Sequence, residues 1–187
     1  MGVENLKEDK KIIVVVGVHG NKANKILEQI VANFACAYPK NTTCRKKRLD
    51  ENEEMYDFVS KDKLKYMIAN NMFFDYYKIG DNWWGTTYEN LNLALSQSAT
   101  KNVVVRINDY EMAEKLKNIY KNNLCLLFVE ADEDTEWMIG DEYLAKKTRC
   151  RKSADCVLDI FQHAGGEEIV FENIENALSV TRSFQGR

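Results

Sequence analysis

Lys11-Ile12-Ile13-Val14-Val15-Val16-Gly17-Val18-His19-Gly20-Asn21-Lys22-Ala23-Asn24 is the stretch whose reading decides the fold. An unbroken run of β-branched residues of this length fits a strand buried on both faces, as strands of a parallel sheet are. Gly17 to Asn21 is a turn. Beyond it, Ile26, Ile30, Val31 and Phe34 recur at helical spacing, which predicts a helix over Lys22 to Cys36. Strand, glycine turn and helix in that order open an α/β fold of the nucleotide-binding type.

Working outward, the pattern repeats. Asn102 to Ile107 and Leu124 to Val129 read as two more buried strands, with Asn108 or Asp109 capping a helix to Tyr120 between them. Before them comes a different texture. Pro39 to Glu54 is polar and reads as an exposed loop or a pair of short strands. Tyr56 to Val59 is a short strand, and Ser60 caps a helix through Asn71. Met72 to Ile79 is an aromatic-rich strand, Gly80 to Asn82 a tight turn, and Trp83-Trp84 begins the return strand, after which Thr87 caps a helix to about Ser98. Asp132 to Gln162 reads as largely helical and highly charged, and Glu167 to Phe171 as a last strand before a helix. Strands alternating with helices predict an α/β domain with a parallel sheet flanked by helices. With no repeat and no linker, residues 11–181 read as one domain. Residues 11–40, 87–131 and 163–181 form its core, 41–86 an inserted β unit and 132–162 a helical lid, with tails at 1–10 and 182–187.

Composition excludes several classes. A net charge of −3 with a pI near 5.6 argues against a dedicated nucleic-acid binder. No apolar run approaches the roughly 20 residues of a membrane span. The first residues are polar, with no secretory apolar core, and the Met-Gly start lacks the Ser or Thr of a myristoylation signal because Leu6 stands there. Cys36, Cys44, Cys125, Cys150 and Cys156 are odd in number and contain no C-x-x-C, so free thiols in a cytoplasmic setting are expected, with Cys36 and Cys125 in the core. With only two histidines, His19 and His163, no metal site is expected.

Two stretches carry a specific resemblance. The first is Arg45-Lys46-Lys47-Arg48, then Glu51, then Tyr56-Asp57-Phe58-Val59-Ser60. The second is Asp75, then Asn82-Trp83-Trp84-Gly85-Thr86-Thr87. Together they resemble the GMP-binding region of guanylate kinases, which runs T-T-R-x-x-R-x-x-E, Y-x-F-V, E, N-Y-Y-G-T/S. The resemblance extends over roughly residues 11–180 and implies a P-loop NTPase-like sheet with a small GMP-binding β subdomain and a helical lid. It implies that Arg45 and Arg48 bind the phosphate of GMP, a task suited to planar guanidinium groups. It implies that Tyr56 donates to the same phosphate, that Asp75 reads the two adjacent donors of the guanine edge, and that Thr86 contacts the base carbonyl. Departures are visible too. Asp75 replaces a glutamate, and Trp84 replaces a tyrosine and has a donor but no acceptor. Cys44 is an extra residue before Arg45, and one residue fewer separates Arg48 from Tyr56.

The donor side departs further. Against a family loop of G-x-x-G-x-G-K-[ST], the chain has Gly17-Val18-His19-Gly20-Asn21-Lys22-Ala23-Asn24. Lys22 stands at the last glycine, Ala23 at the phosphate-binding lysine and Asn24 at the hydroxyl that ligates Mg²⁺. Lys22 and Lys25 lie near but out of register. Where the family has L-D-I-D, the chain has Val105-Arg106-Ile107-Asn108, and where it has lid arginines only Lys146, Lys147, Arg149 and Arg151 are available. Phosphoryl transfer rests on positioning and on charge neutralisation by Lys, Mg²⁺ and Arg. The expectation is therefore a degenerate P-loop and a binding module without catalysis and without cofactor, whose partner is GMP or a phosphopeptide-bearing protein, as in membrane-associated guanylate kinase scaffolds. Two alternatives stand beside it. One is an active ATP:GMP phosphotransferase using ATP and Mg²⁺ with an atypical loop. The other is a phosphate-independent interaction domain presenting the aromatic stretch Phe73 to Tyr77.

Overall fold

The structure, a computed structural model, describes residues 11–17, 21–49, 55–98, 102–130, 141–159 and 176. The tails at 1–10 and 182–187, Gly20, both histidines, and the predicted strand Glu167 to Phe171 with its helix lie outside the described residues.

The elements run β1 (Lys11–Val16), α1 (Asn21–Phe34), β2 (Asn41–Thr43), β3 (Tyr56–Phe58), α2 (Lys61–Ala69), β4 (Phe73–Ile79), β5 (Asn82–Thr87), α3 (Tyr88–Gln97), β6 (Asn102–Arg106), α4 (Tyr110–Tyr120), β7 (Leu124–Glu130), α5 (Asp141–Ser153) and β8 (Cys156–Asp159). They form two four-stranded sheets. The first has strand order β6-β1-β7-β8 and is parallel throughout. Its β-branched run is the reason: Ile12, Ile13 and Val14 are fully buried because helices cover both sides. Ile12, Val14, Leu126 and Phe128 pack with Leu91, Ala113 and Leu116 on one side. Ile13, Val15, Val104 and Leu127 pack with Leu27 and Ile30 of α1 on the other.

Gly17 ends β1 with φ +104, and a Cβ there would lie 2.2 Å from the Val129 carbonyl oxygen. Only glycine fits a chain that turns this close to β7. The turn falls at the C-terminal ends of β1 and β7, the end at which open α/β sheets place their ligands.

The second sheet has order β3-β2-β5-β4, mixing the parallel β2–β3 pair with antiparallel β2–β5 and β4–β5. All of it comes from residues 41–87. The caps behave as read: Ser60 Oγ accepts from Lys63 N, Thr87 Oγ1 from Asn90 N, and Asp109 from Glu111 N and Met112 N.

Of the two alternatives for the polar stretch after Pro39, the short strand holds at its start: Asn41, Thr42 and Thr43 form β2, and they are buried rather than exposed. One reading needs correction. Residues 132–162 are helical only over Asp141–Ser153 among those described. Cys156–Asp159 is a strand, parallel to β7. Asp155 holds it in place by accepting from Leu126 N at 2.7 Å and pairing with Lys117. The aromatic stretch Phe73 to Tyr77 is mostly interior, with Phe73, Phe74 and Asp75 buried.

Candidate functional site

The register of the second sheet sorts its residues onto two faces. Asn41 pairs with Tyr56 and Thr43 with Phe58. Thr43 also pairs with Trp84, Trp84 with Tyr77, and Thr86 with Asp75. Residues paired across strands point to the same side. One face therefore carries Asn41, Thr43, Tyr56, Phe58, Asp75, Tyr77, Trp84 and Thr86. The sequence-predicted residues Tyr56, Asp75, Trp84 and Thr86 all belong to it.

Arg45 joins them at one end. Its guanidinium carbon lies 5.4 Å from the Tyr56 ring centre and 5.5 Å from that of Phe58, within cation–π range. Arg45 Nη1 also donates to the Lys46 carbonyl at 3.0 Å. The cation is thus placed over the Tyr56 ring. Arg48, the second predicted phosphate ligand, lies exposed in the segment after β2.

At the other end the strands shift register between Phe73 and Asp75. The irregularity sends Phe74 into the core and Asp75 onto the polar face, opposite Thr86. Gly85 makes this possible, because a Cβ at that position would meet the Asp75 carbonyl at 2.5 Å and the Phe73 ring at 2.7 Å. Asp75 is 2% exposed and its Oδ1 has no hydrogen-bond partner. Burial, with Asp109 nearby, pushes its carboxyl up to about 7. Trp84 does not reach for a polar group; it stacks on Tyr77 with ring centres 6.1 Å apart and planes within 8°.

The facing wall comes from the parallel sheet, and sequence reading named none of it as binding residues. Arg106 ends β6 and its Nη2 donates to Asn108 Oδ1 at 3.1 Å. Tyr38 and Tyr77 both feel the Arg106 charge. Burial raises the hydroxyl of Tyr38, and it pushes that of Tyr77 up to about 12, with Arg106 opposing in each case. Tyr38 in turn neighbours Asn41 and Tyr56. Among the described residues, the buried side-chain atoms without a hydrogen-bond partner are Asn41 Oδ1, Asp75 Oδ1, Arg106 Nε and Asn108 Nδ2. All four belong to these two facing walls. Buried polar atoms are rarely left unpaired unless a ligand or water completes them.

The donor loop is described only in part. Gly17 is placed as above, and Asn21, Lys22, Ala23 and Asn24 form the start of α1. Of the α5 cations, Lys146 pairs with Glu111 at 3.5 Å and Arg149 with Glu114 at 3.6 Å, both on α4. A divalent metal wants a shell of oxygen ligands. The donor set at the end of β6 is a guanidinium and an amide, and no cluster of acidic, histidine or cysteine side chains suited to a metal occurs among the described residues. Among the described residues, this donor set does not fit a protein-held Mg²⁺. A separate groove of about 660 Å³ lies behind the second sheet, lined by Lys40, Thr42, Asp57, Lys63, Tyr66 and Asn90 among others. None of the predicted site residues except Tyr56 borders it.

A parallel β6-β1-β7-β8 sheet with a glycine turn at its switch point, and a second polar-faced sheet set between α1 and β6, define a P-loop NTPase-like α/β protein. Comparison with known proteins agrees. The chain belongs to the guanylate kinase family, whose model, described as Guanylate kinase, matches residues 9–149. It is similar to the guanylate kinase of Prochlorococcus marinus (strain MIT 9312), with 25% identity over 130 residues, 68% of this chain and 69% of that one. It is also similar to the guanylate kinase of Mycoplasma genitalium, with 24% identity over 169 residues, 89% of this chain and 66% of the relative. The chain thus spans about two thirds of the length of these relatives. Among solved structures, the guanylate kinase from Anaplasma phagocytophilum superposes with a TM-score of 0.61 at 18% identity, covering 97% of this chain and 89% of the other, a likeness of fold.

Proposed function

We propose that this chain binds GMP between its two sheets and accepts a phosphoryl group onto it from ATP, the reaction named for its relatives. The observation that carries the acceptor half is Asp75. A carboxylate that is 2% exposed, with an unpaired oxygen and Thr86 opposite, calls for a ligand bearing adjacent N–H donors. Guanine offers such a pair. Arg45 and Tyr56, at the other end of the same face, take the 5′-phosphate, and Arg48 closes from the loop after β2. Positioning of the acceptor is what these residues contribute to transfer. The one-domain organisation over residues 11–181 and a cytoplasmic location belong to the same proposal.

A second reading, binding of GMP or a phosphopeptide without transfer, is favoured by the donor side. Ala23 and Asn24 carry neither the lysine nor the hydroxyl of the phosphate loop, although α1 starts at Asn21 and so sets Lys22 in its first turn. Lys146 and Arg149 are engaged with α4 carboxylates. Losing one preorganised electrostatic group costs about 10²- to 10³-fold in rate. A coupled assay of ADP formation with GMP, ATP and Mg²⁺ separates the two. GMP-dependent turnover near ~1 s⁻¹, within the usual range of enzymes, is expected for the first reading. GMP binding by calorimetry with no turnover above background would establish the second.

A further inference from the structure

Arg106 stands in an unusual position for a cation. It is half-buried at the C-terminal end of β6 and its Nε is fully buried without a partner. Its one hydrogen bond to a side chain is the neutral Asn108 amide. Among the described residues no carboxylate pairs with it. A partly buried charge with a buried, unpaired Nε is costly unless an opposite charge meets it, and an anionic ligand would supply that charge.

The neighbours place Arg106 in this cleft. Tyr38 and Tyr77 both feel the charge of Arg106, and Tyr38 also feels Tyr56. Tyr77 also feels the charge of Asp75, two residues before it on the same face of β4. Of the parts of a mononucleotide, the phosphate is the anion, and it is the part a guanidinium pairs with. Asn108 Oδ1 accepts from Nη2 and so orients the planar guanidinium before any ligand binds, while Nε is buried and unpaired.

We propose that Arg106, positioned by Asn108, is a further phosphate-binding residue of this cleft, meeting a phosphate oxygen of the bound mononucleotide from the parallel-sheet wall while Arg45 and Tyr56 hold it from the other. The inference rests on the GMP reading above. It assigns a role to a residue whose family counterpart is acidic, and it makes phosphate binding in this chain a two-sided clamp. No bond is made or broken; the step is ion pairing and hydrogen bonding alone.

The test titrates GMP and guanosine into native protein, Arg106→Ala, Arg106→Lys and Asn108→Ala, following calorimetric heats for GMP and ligand-observed NMR for guanosine. Arg106→Ala is expected to weaken GMP by about 10- to 100-fold, the loss typical of a charged hydrogen bond, and to leave guanosine within about twofold. Arg106→Lys, which keeps the charge but loses the fork, should fall between, and Asn108→Ala should weaken GMP by less than Arg106→Ala. Far-UV circular dichroism and unchanged guanosine affinity together report that the variants are folded. If native protein binds GMP and Arg106→Ala binds it equally well, the inference is overturned and the GMP reading stands. Equal losses for GMP and guanosine also overturn it, since a base-reading or merely structural residue would behave so. If the native protein binds no GMP, both readings fall.

Discussion

The two sheets of this molecule are built to opposite rules. In the parallel sheet, Ile12, Val14, Leu126 and Phe128 on one side and Ile13, Val104 and Leu127 on the other are essentially inaccessible to water. In the second sheet the buried positions include Asn41, Thr42, Thr43, Asp75, Thr86 and Thr87. Unpaired buried polar atoms occur only where the second sheet faces the end of β6, among the described residues. One half of the fold is optimised for burial, and the other holds polar groups in readiness at a cost to stability. That division is the pattern expected where a rigid scaffold positions a binding surface.

The comparison can be broken most severely in the scaffold. Leu127→Ala removes a fully buried side chain between β7 and α1 and is expected to cost about 2–5 kcal/mol of unfolding free energy. Urea denaturation measures this. A loss below about 1 kcal/mol would mean that the parallel sheet is not the stabilising half.

In the polar sheet the sign reverses for one residue. A carboxyl whose folded-state value is about 7, against an ordinary 3.8, keeps in the native state a proton that the unfolded chain releases. Its contribution favours folding most in acid, declines as pH rises from about 4 to about 7, and is constant above that. Asp75→Asn should therefore stabilise the free protein at pH 8, by about 1–3 kcal/mol, the scale of an unsatisfied buried group. It should at the same time weaken GMP by roughly 10- to 100-fold, because an amide cannot accept from both guanine donors. Thermal melts and calorimetry on one variant test both. A variant that loses stability and keeps GMP affinity would contradict the role assigned to Asp75.

The same group sets a pH profile. Only ionised Asp75 accepts two donors, so GMP affinity in the native protein should be about tenfold lower at pH 6 than at pH 8, following the ionised fraction. In Asp75→Asn that dependence should flatten. A native profile as flat as that of the variant would show that the carboxylate does not read the base.

The smallest effect lies at the seam between the halves. Thr87 ends β5 and caps α3, its Oγ1 accepting from Asn90 N at 3.1 Å. Thr87→Ala should cost about 1 kcal/mol, seen as a shift in urea midpoint without a change in slope. A change in slope would indicate that the two sheets come apart separately.

What was legible in the chain followed the same division. The β-branched run at Ile12 to Val16 announces a buried strand, and Ser60, Thr87 and Asp109 announce their helices, because burial and capping leave local signatures. Asn82-Trp83-Trp84-Gly85-Thr86-Thr87 was readable for a reason the structure supplies: Gly85 must pass within contact of the Asp75 backbone. β2 was not legible as a buried strand, since Asn41-Thr42-Thr43 carries the composition of a loop. Its burial comes from partners distant in sequence, such as Thr43 Oγ1 donating to the Trp83 carbonyl at 2.9 Å. β8 was hidden because four residues beside a charged helix show no period, and what fixes them is Asp155 reaching Leu126. Arg106 stood out in the chain only as a missing carboxylate. That it faces Tyr38 and Tyr77 is a fact of tertiary placement, not of spacing.

One junction has a further consequence. Ala37, just before β2, forms a parallel bridge to Val103 at the start of β6, donating to the Asn102 carbonyl and accepting from Val104 N, both at 3.0 Å. The chain therefore touches β6 with its backbone just before it turns off to build the second sheet, and β2 to β5 are inserted between this bridge and β6. Lengthening or shortening such an insert shifts no register between β1 and β6 and changes closure entropy only slowly. The segment that carries Arg45, Tyr56 and Asp75 is thus free to vary in length and sequence over evolutionary time while the scaffold beneath it keeps its pairing. The one-residue insertion at Cys44 and the deletion before Tyr56 can be read as that freedom in use.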